Sequence, residues 1–218
     1  MKSYSLVDNK QNPIDFKLFD IINKENGFFI ELGANDGITQ SNTAFFEFYK
    51  NWTGILIEPS VNKYEECKLN RPNNIVLNCA CVSSEYDKDH IVGDFHGSLM
   101  ASVDGKRLNG LDLVSVKVKT LESILDIYIN NRKIDLLSLD TEGYELNILK
   151  GLNLNKYRPK FMIIEVYNKD YNELLEYLTK YNYILHSNIS NYNYNDNPGW
   201  DGTHNDFLFV DDLNSIIC

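Results

Sequence analysis

Five short runs, Gly27–Leu32 (GFFIEL), Gly54–Pro59 (GILIEP), Asn74–Val82 (NIVLNCACV), Ile134–Asp140 (IDLLSLD) and Lys160–Val166 (KFMIIEV), are almost uninterrupted in Ile, Val, Leu and Phe. A strand with one wet face alternates apolar and polar residues. Runs this continuous need cover on both faces, which is the habit of parallel sheets. Amphipathic segments at Asn42–Lys50, Ser60–Leu69, Leu121–Asn130, Tyr144–Lys150 and Tyr171–Lys180 punctuate them, several preceded by Ser, Thr or Asp as helix caps. The alternation predicts an α/β protein with a doubly wound, mostly parallel sheet. Three segments depart from it. Residues 1–26 read as a helical lead-in, and Glu85–Asp112 as a polar, glycine-containing insertion before the alternating strand LVSVKVKT. After Tyr181, YNYILHS and NDFLFVD flank a polar stretch, which predicts a terminal antiparallel hairpin whose long loop covers residues 188–204.

At 218 residues and 43% hydrophobic content the chain is expected to form one domain with a sizeable core. A net charge of −10 disfavours nucleic acid and anionic membrane surfaces as partners. No uncharged apolar run reaches membrane-spanning length, and the N-terminus has no secretory h-region. Cys67, Cys79, Cys81 and Cys218 show no paired metal-ligand spacing, so a reducing, cytoplasmic setting is expected.

The first apolar run leads into ELGANDG, Glu31–Gly37. In a doubly wound sheet that is where the first strand opens onto the ligand crevice, and Gly33 and Gly37 allow a tight turn with backbone N–H groups facing a ligand. A dinucleotide fingerprint would want glycine at its third and sixth places. Asn35 and Ile38 stand there instead. An acid just before the first glycine, Glu31, suits a ligand with an ammonium group and would repel a diphosphate. The second run ends in Glu58, about 20 residues further on, where a ribose diol is ordinarily gripped. Together these features point to an adenosine ligand bearing an amino acid, S-adenosyl-L-methionine.

At ELGANDGITQSNT, GILIEPS, VKTLESIL and above all IDLLSLDTEGYELNILKG, the chain resembles the FkbM-type methyltransferases over roughly Phe28–Val166. The resemblance implies a Rossmann-like class I fold with a seven-stranded sheet and O-methylation of sugar hydroxyls, with a deoxyhexose such as rhamnose as one acceptor. It implies that the turn of Gly33, Ala34, Asn35, Asp36 and Gly37, with Asn42, holds the methionine end. Glu58 would hold the ribose, Pro59, Ala80, Cys81 and Thr141 would be further cofactor contacts, and Asp140, also at the cofactor, would face the reaction centre with Glu142 and Gly143. The implied partners are a sugar or glycan acceptor and glycosyltransferase domains of a longer parent. A same-fold methyltransferase acting on a protein or metabolite, or a noncatalytic glycan-binding module, are the alternatives.

Rim residues are the expected chemistry. Asp140, Glu165, His204 and His96 are candidate bases for the attacking hydroxyl. Asp140, Glu142 and Glu165 would also serve as hard oxygen ligands if a divalent cation, Mg or Mn, orients a diol. Glu142 and Tyr144, together with Tyr192, Tyr194 and Trp200 of the last loop, are the expected acceptor contacts, because a sugar wants stacking faces. Plainer roles stand beside these: Glu58 as a cap for the helix near Ser60, and Asp140 or Thr141 as a cap for the helix after it.

Overall fold

The computed structural model describes residues 1–95 and 113–214. Its strands are β1 (Phe28–Leu32), β2 (Thr53–Ile57), β3 (Ile75–Leu77), β4 (Ala80–Cys81), β5 (His90–Gly93), β6 (Val114–Lys119), β7 (Leu136–Leu139), β8 (Phe161–Tyr167), β9 (Tyr183–Asn188) and β10 (His204–Asp211). The helices are α1 (Ile14–Ile22), α2 (Ala44–Lys50), α3 (Val61–Asn70), α4 (Leu121–Tyr128), α5 (Glu145–Leu149) and α6 (Tyr171–Lys180). Seven strands form one sheet in the order β3-β2-β1-β7-β8-β10-β9. The first five run parallel, whereas β10 is antiparallel to both β8 and β9.

Burial explains the continuous apolar runs. Every residue of β1 and β7 is buried. Phe28, Ile30 and Leu32 pack on one side with Leu121, Ile124 and Leu125 of α4, Ile148 and Leu149 of α5, and Leu174 and Leu178 of α6. Phe29 faces the other side, with Ile14, Leu18 and Ile22 of α1, Phe45 and Phe46 of α2, and Cys67 of α3. Helix spacing accounts for those contacts, since residues three and four apart share a helix face. Helix α4 is also closed locally: Thr120 Oγ1 accepts a hydrogen bond from the Ser123 amide at 3.2 Å.

The sheet order puts β1 and β7 side by side, with the chain leaving β1 for α2 on one face and β7 for α5 on the other. Their carboxyl ends therefore border one crevice, joined by those of β2 and β8.

Three expectations need correction. The run Asn74–Val82 is two strands and not one: β3 pairs with β2, while β4 pairs with β6 in a separate sheet of order β4-β6-β5. Asn78 makes the break, because its side-chain amide donates to the carbonyls of Glu58 and Pro59, both at 2.9 Å, and turns the chain out of the main sheet. The described part of the stretch from Glu85 is not merely polar insertion, since β5 lies within it, antiparallel to β6. In the lead-in only Ile14–Ile22 is α-helical. Residues before it are held by the buried Asp15 carboxylate, which accepts from Ser3 Oγ at 2.9 Å and from the Tyr4 amide at 2.8 Å.

Candidate active site

After β1 the chain makes the turn that the glycines require. Gly33 has φ +75°, and a Cβ there would sit 1.8 Å from the Asp140 carbonyl oxygen. The amides of Gly33 and Ala34 donate to the Ile57 carbonyl at 3.1 and 3.2 Å, tying the turn to the end of β2. Asn35 adopts φ +48°, a left-handed conformation that asparagine tolerates far better than most residues. This is how the turn does without a third glycine. Asp36 organises the residues after it. Its Oδ1 accepts from the amides of Ile38 and Thr39 at 2.8 and 2.7 Å, and its Oδ2 from the Thr39 hydroxyl. Burial pushes the Asp36 carboxyl up, but the hydrogen bonds from Thr39 outweigh it and the net shift is downward.

Glu58, one residue past β2, faces this turn and is 6% exposed. Its Oε2 accepts from the Asn35 amide and its Oε1 from the Ser60 amide, both at 2.8 Å. Burial pushes its carboxyl up to about 7, with the two backbone donors and Lys63 pulling the other way. The helix-cap role is real, then, and the same carboxylate also reaches the turn.

Beyond β7, Asp140 begins a second turn, its amide donating to the Leu32 carbonyl at 3.3 Å. The N-cap position of α5 falls at Tyr144, not at Asp140 or Thr141. Glu145, fully within the fold, accepts on one oxygen from the Thr141 amide at 2.8 Å, the Thr141 hydroxyl at 2.9 Å and the Gly143 amide at 3.2 Å. Burial pushes Glu145 up to about 7, helped by the Asp140 charge. Glu142 sits at φ +60°, unusual for a glutamate and the sort of backbone strain that gathers at working sites. Its carboxylate accepts from the Tyr167 hydroxyl at 2.8 Å.

The hairpin supplies the rest. Asp206 lies opposite Glu165, and His204 opposite Tyr167, across β10 and β8. His204 thus stands diagonal to Glu165, with Nε2 3.4 Å from Glu165 Oε1, and its Nδ1 is 3.6 Å from Asp201 Oδ1. Asp206, two residues along the same strand face, is buried, which pushes its carboxyl up to about 7 with the Asp140 charge adding to the effect. One oxygen each from Asp140, Glu142 and Glu165 lies within 4.8 Å of the others.

These elements enclose a cavity of about 560 Å³. Of the residues expected at the cofactor, Gly33, Ala34, Asn35, Glu58, Pro59, Ala80, Cys81, Asp140 and Thr141 line it. So do the rim residues Glu142, Tyr144, Glu165 and His204. Glu31, Asp36, Gly37 and Asn42 do not. The Glu31 carboxylate is taken by the hydroxyls of Ser41 and Thr43 and the Asn42 amide. Burial pushes that carboxyl up, against the charge of Arg71. A second cleft, about 550 Å³, is lined by Tyr192 and Trp200 and shares Leu6 and His204 with the first. Tyr194 packs on Trp200, ring centroids 5.2 Å apart, without lining the cleft. His96 lies outside the described residues.

Sequence reading missed Leu6, Ser41, Cys79 and Phe95 in the cavity wall, together with Glu145 and Asp206. Glu145 carried a signal, as an acid four residues after Thr141. Asp206 did too, as an acid two residues from His204 in a strand. Leu6 had none, because only the fold brings it there.

The family model described as Methyltransferase FkbM domain matches residues 31–185. The chain belongs to the FkbM methyltransferase family. It is accordingly a class I, S-adenosylmethionine-dependent methyltransferase, and its strand order is that of the Rossmann-like fold of such enzymes. No curated protein matches the chain. Among solved structures, a precorrin-6y C5,15-methyltransferase from Geobacter metallireducens GS-15 is similar at TM-score 0.51 and 8% identity, over 96% of this chain and 94% of that one. A SAM-dependent methyltransferase from Geobacter sulfurreducens, solved with S-adenosyl-L-homocysteine, is similar at TM-score 0.45 and 9% identity over 97% and 94%. At such identities the likeness is one of fold.

The FkbM cavity fits the cofactor on its own chemistry. Its volume falls within the usual range for small-molecule sites, a carboxylate stands at the end of β2, and Gly33 lets the turn after β1 pack directly on the Asp140 carbonyl at the cavity wall.

Proposed function

We propose that this methyltransferase acts on a hydroxyl of a sugar or glycan, a deoxyhexose such as rhamnose being one such acceptor. The observation that carries the reading is the wall at His204 and Leu6, which the first cavity shares with the cleft bearing Trp200 and Tyr192. The indole face, with Asn197 and Asp196 beside it, offers stacking and hydrogen bonds to a sugar ring. The Tyr192 hydroxyl is occupied by the Val7 carbonyl at 2.8 Å, so its ring is the part left to face an acceptor.

S-adenosylmethionine, when bound, supplies an electrophilic methyl group. Glu58 would hold its ribose, the turn Gly33–Asn35 its methionine end, and Ala80 with Cys81 its base. The residues at this wall then have two tasks. Alignment of a hydroxyl against the methyl carbon is worth up to about 7–11 kcal/mol, and general-base removal of the hydroxyl proton adds roughly 10²–10⁴-fold. Positioning therefore dominates, and Asp140, Glu165 and His204 are assigned to it. Asp140 or the His204–Glu165 pair takes the proton. Asp140, Glu142 and Glu165 are also the donor set that a hard divalent cation, Mg²⁺ or Mn²⁺, would take to orient a diol. A cytoplasmic setting and glycosyltransferase domains of a longer parent go with this reading.

The deciding experiment incubates the chain with S-adenosylmethionine and a panel of deoxyhexosides, other glycans, peptides and metabolites, and follows methylation by mass. Methylated glycan is expected, with Asp140→Asn retaining S-adenosylhomocysteine binding but losing most turnover. Methylation of peptide or metabolite alone would move the enzyme to another acceptor class. Chelation by EDTA followed by Mg²⁺ or Mn²⁺ separates the two proton-removal routes.

A further inference from the structure

A turn with glycine only at its first and fifth positions leaves much of its shape to be imposed from outside. The clamp is Arg71, one residue past α3, whose side chain is fully buried. Its Nη1 donates to the Gly37 carbonyl at 2.8 Å and to Ser41 Oγ at 3.3 Å, and its Nη2 donates to Thr43 Oγ1 at 3.1 Å. Its Nε pairs with Glu47 of α2. The guanidinium lies over the ring of Phe29 in β1, 5.2 Å from the centroid, and Nη1 is 3.8 Å from Glu31 Oε2. The Arg71 stem also fills the space left by Gly37, where a Cβ would come within 2.8 Å of its Cγ.

Two of these partners are shared with Glu31. Ser41 Oγ donates to the Glu31 carboxylate at 3.0 Å while receiving Arg71, and Thr43 Oγ1 does the same at 2.6 Å. Ser41 lines the cofactor cavity, and Gly37 closes the turn that begins at Gly33. A single planar fork thus holds both ends of the segment 37–43 against β1. A lysine ammonium has no such fork and cannot meet three separated acceptors and Glu47 together.

We propose that Arg71 is a positioning residue for the cofactor, setting the shape of the Gly33–Thr43 turn through Gly37, Ser41 and Thr43 without touching the ligand. Glu31 is its counterpart, acting on the turn from below. A residue in this role governs affinity through pre-organisation, so its loss is read in cofactor binding by protein that is still folded.

The test is calorimetric titration of the full chain with S-adenosylhomocysteine, alongside thermal melting and hydrogen exchange of amides 33–43. Arg71→Lys is expected to weaken binding tenfold or more and to speed exchange in the turn, with protection in β7 and β8 unchanged. Thr43→Val keeps the side-chain shape and removes one shared hydroxyl, so it reports even if Arg71→Lys does not fold. It is expected to weaken binding at least threefold. If the unaltered chain binds and Thr43→Val, and any folded Arg71→Lys, bind equally well, Arg71 is only a structural ion pair and the proposal is overturned. If the unaltered chain does not bind at all, the assignment falls together with the cofactor placement it rests on.

Discussion

Glu58 Oε2 accepts the Asn35 amide at 2.8 Å, so the acid at the end of β2 and the turn after β1 are parts of one cradle. The ribose and methionine grips proposed for them are therefore not independent. Glu58→Ala should weaken S-adenosylhomocysteine binding by about 1.5–3 kcal/mol, the range for a lost hydrogen bond to a charged group. The chain should remain folded. Equal affinity in the variant by calorimetry would remove Glu58 from the site.

The same carboxyl sets a pH dependence. Burial holds Glu58 near 7 against an ordinary value of 4.5, and ribose hydroxyls prefer its ionised form. Cofactor binding should accordingly tighten as pH rises through about 7, with proton release in titrations made at pH 6. Stability of the empty protein runs the other way. Glu58, Glu145 and Asp206 all keep their protons to about 7 when folded and lose them near 4 when unfolded. Where the folded state binds more protons, stability falls as pH rises. Melting temperature should drop between about pH 4.5 and 7 and then level off, and a melt series with and without S-adenosylhomocysteine checks both signs.

Gly33→Ala tests the junction of β1 and β7. The new Cβ would meet the Asp140 carbonyl at 1.8 Å with φ held at +75°. The backbone alone costs about 1–2 kcal/mol for a non-glycine residue. Lowered stability and lost cofactor affinity should appear together, measured by melting and titration. A variant that binds normally would show that the turn yields more easily than its geometry implies.

Cys79 and Cys81 line the cavity yet are only 2% and 4% exposed, so a reagent should reach them through that cavity. The Cys81 thiol, hydrogen-bonded to Cys79, lowers the Cys79 pKa against the effect of burial. Cys79 should alkylate first with N-ethylmaleimide, and saturating S-adenosylhomocysteine should slow it at least tenfold. Cys67, pushed up to about 12 by burial, is the slow internal control. Peptide mapping that finds no protection of Cys79 would place the cofactor elsewhere.

The main sheet was legible because β1, β2, β7 and β8 are buried on both faces and their apolar runs show it. Where a strand was misread, at Asn74–Val82, one side chain, Asn78, ends it, and a lone polar residue inside an apolar run carries no mark of what it will bond. The cavity wall divides in the same way. Gly33, Glu58 and Asp140 stand at strand ends, where topology alone assigns them to the crevice. Leu6 and Phe95 arrive from loops. Glu31 was misplaced for a further reason: alternation along β1 turns its carboxylate to the Phe29 side, under the turn, where Arg71 and three turn residues meet it. Proximity in sequence to the first glycine could not reveal which side of the strand the acid takes.

Strand β10 comes last in sequence among the described strands, yet it lies inside the sheet, between β8 and β9. Until it arrives, β8 has one open edge and β9 has no neighbour, so this end of the sheet closes only when residues 204–211 insert. The turn after β1, by contrast, is tied to Ile57 of β2 and to Arg71 past α3, neither of which pairs with β10. His204 and Asp206 thus reach the β8 rim only with the closing strand, and the cavity wall on that side is the last part to be completed.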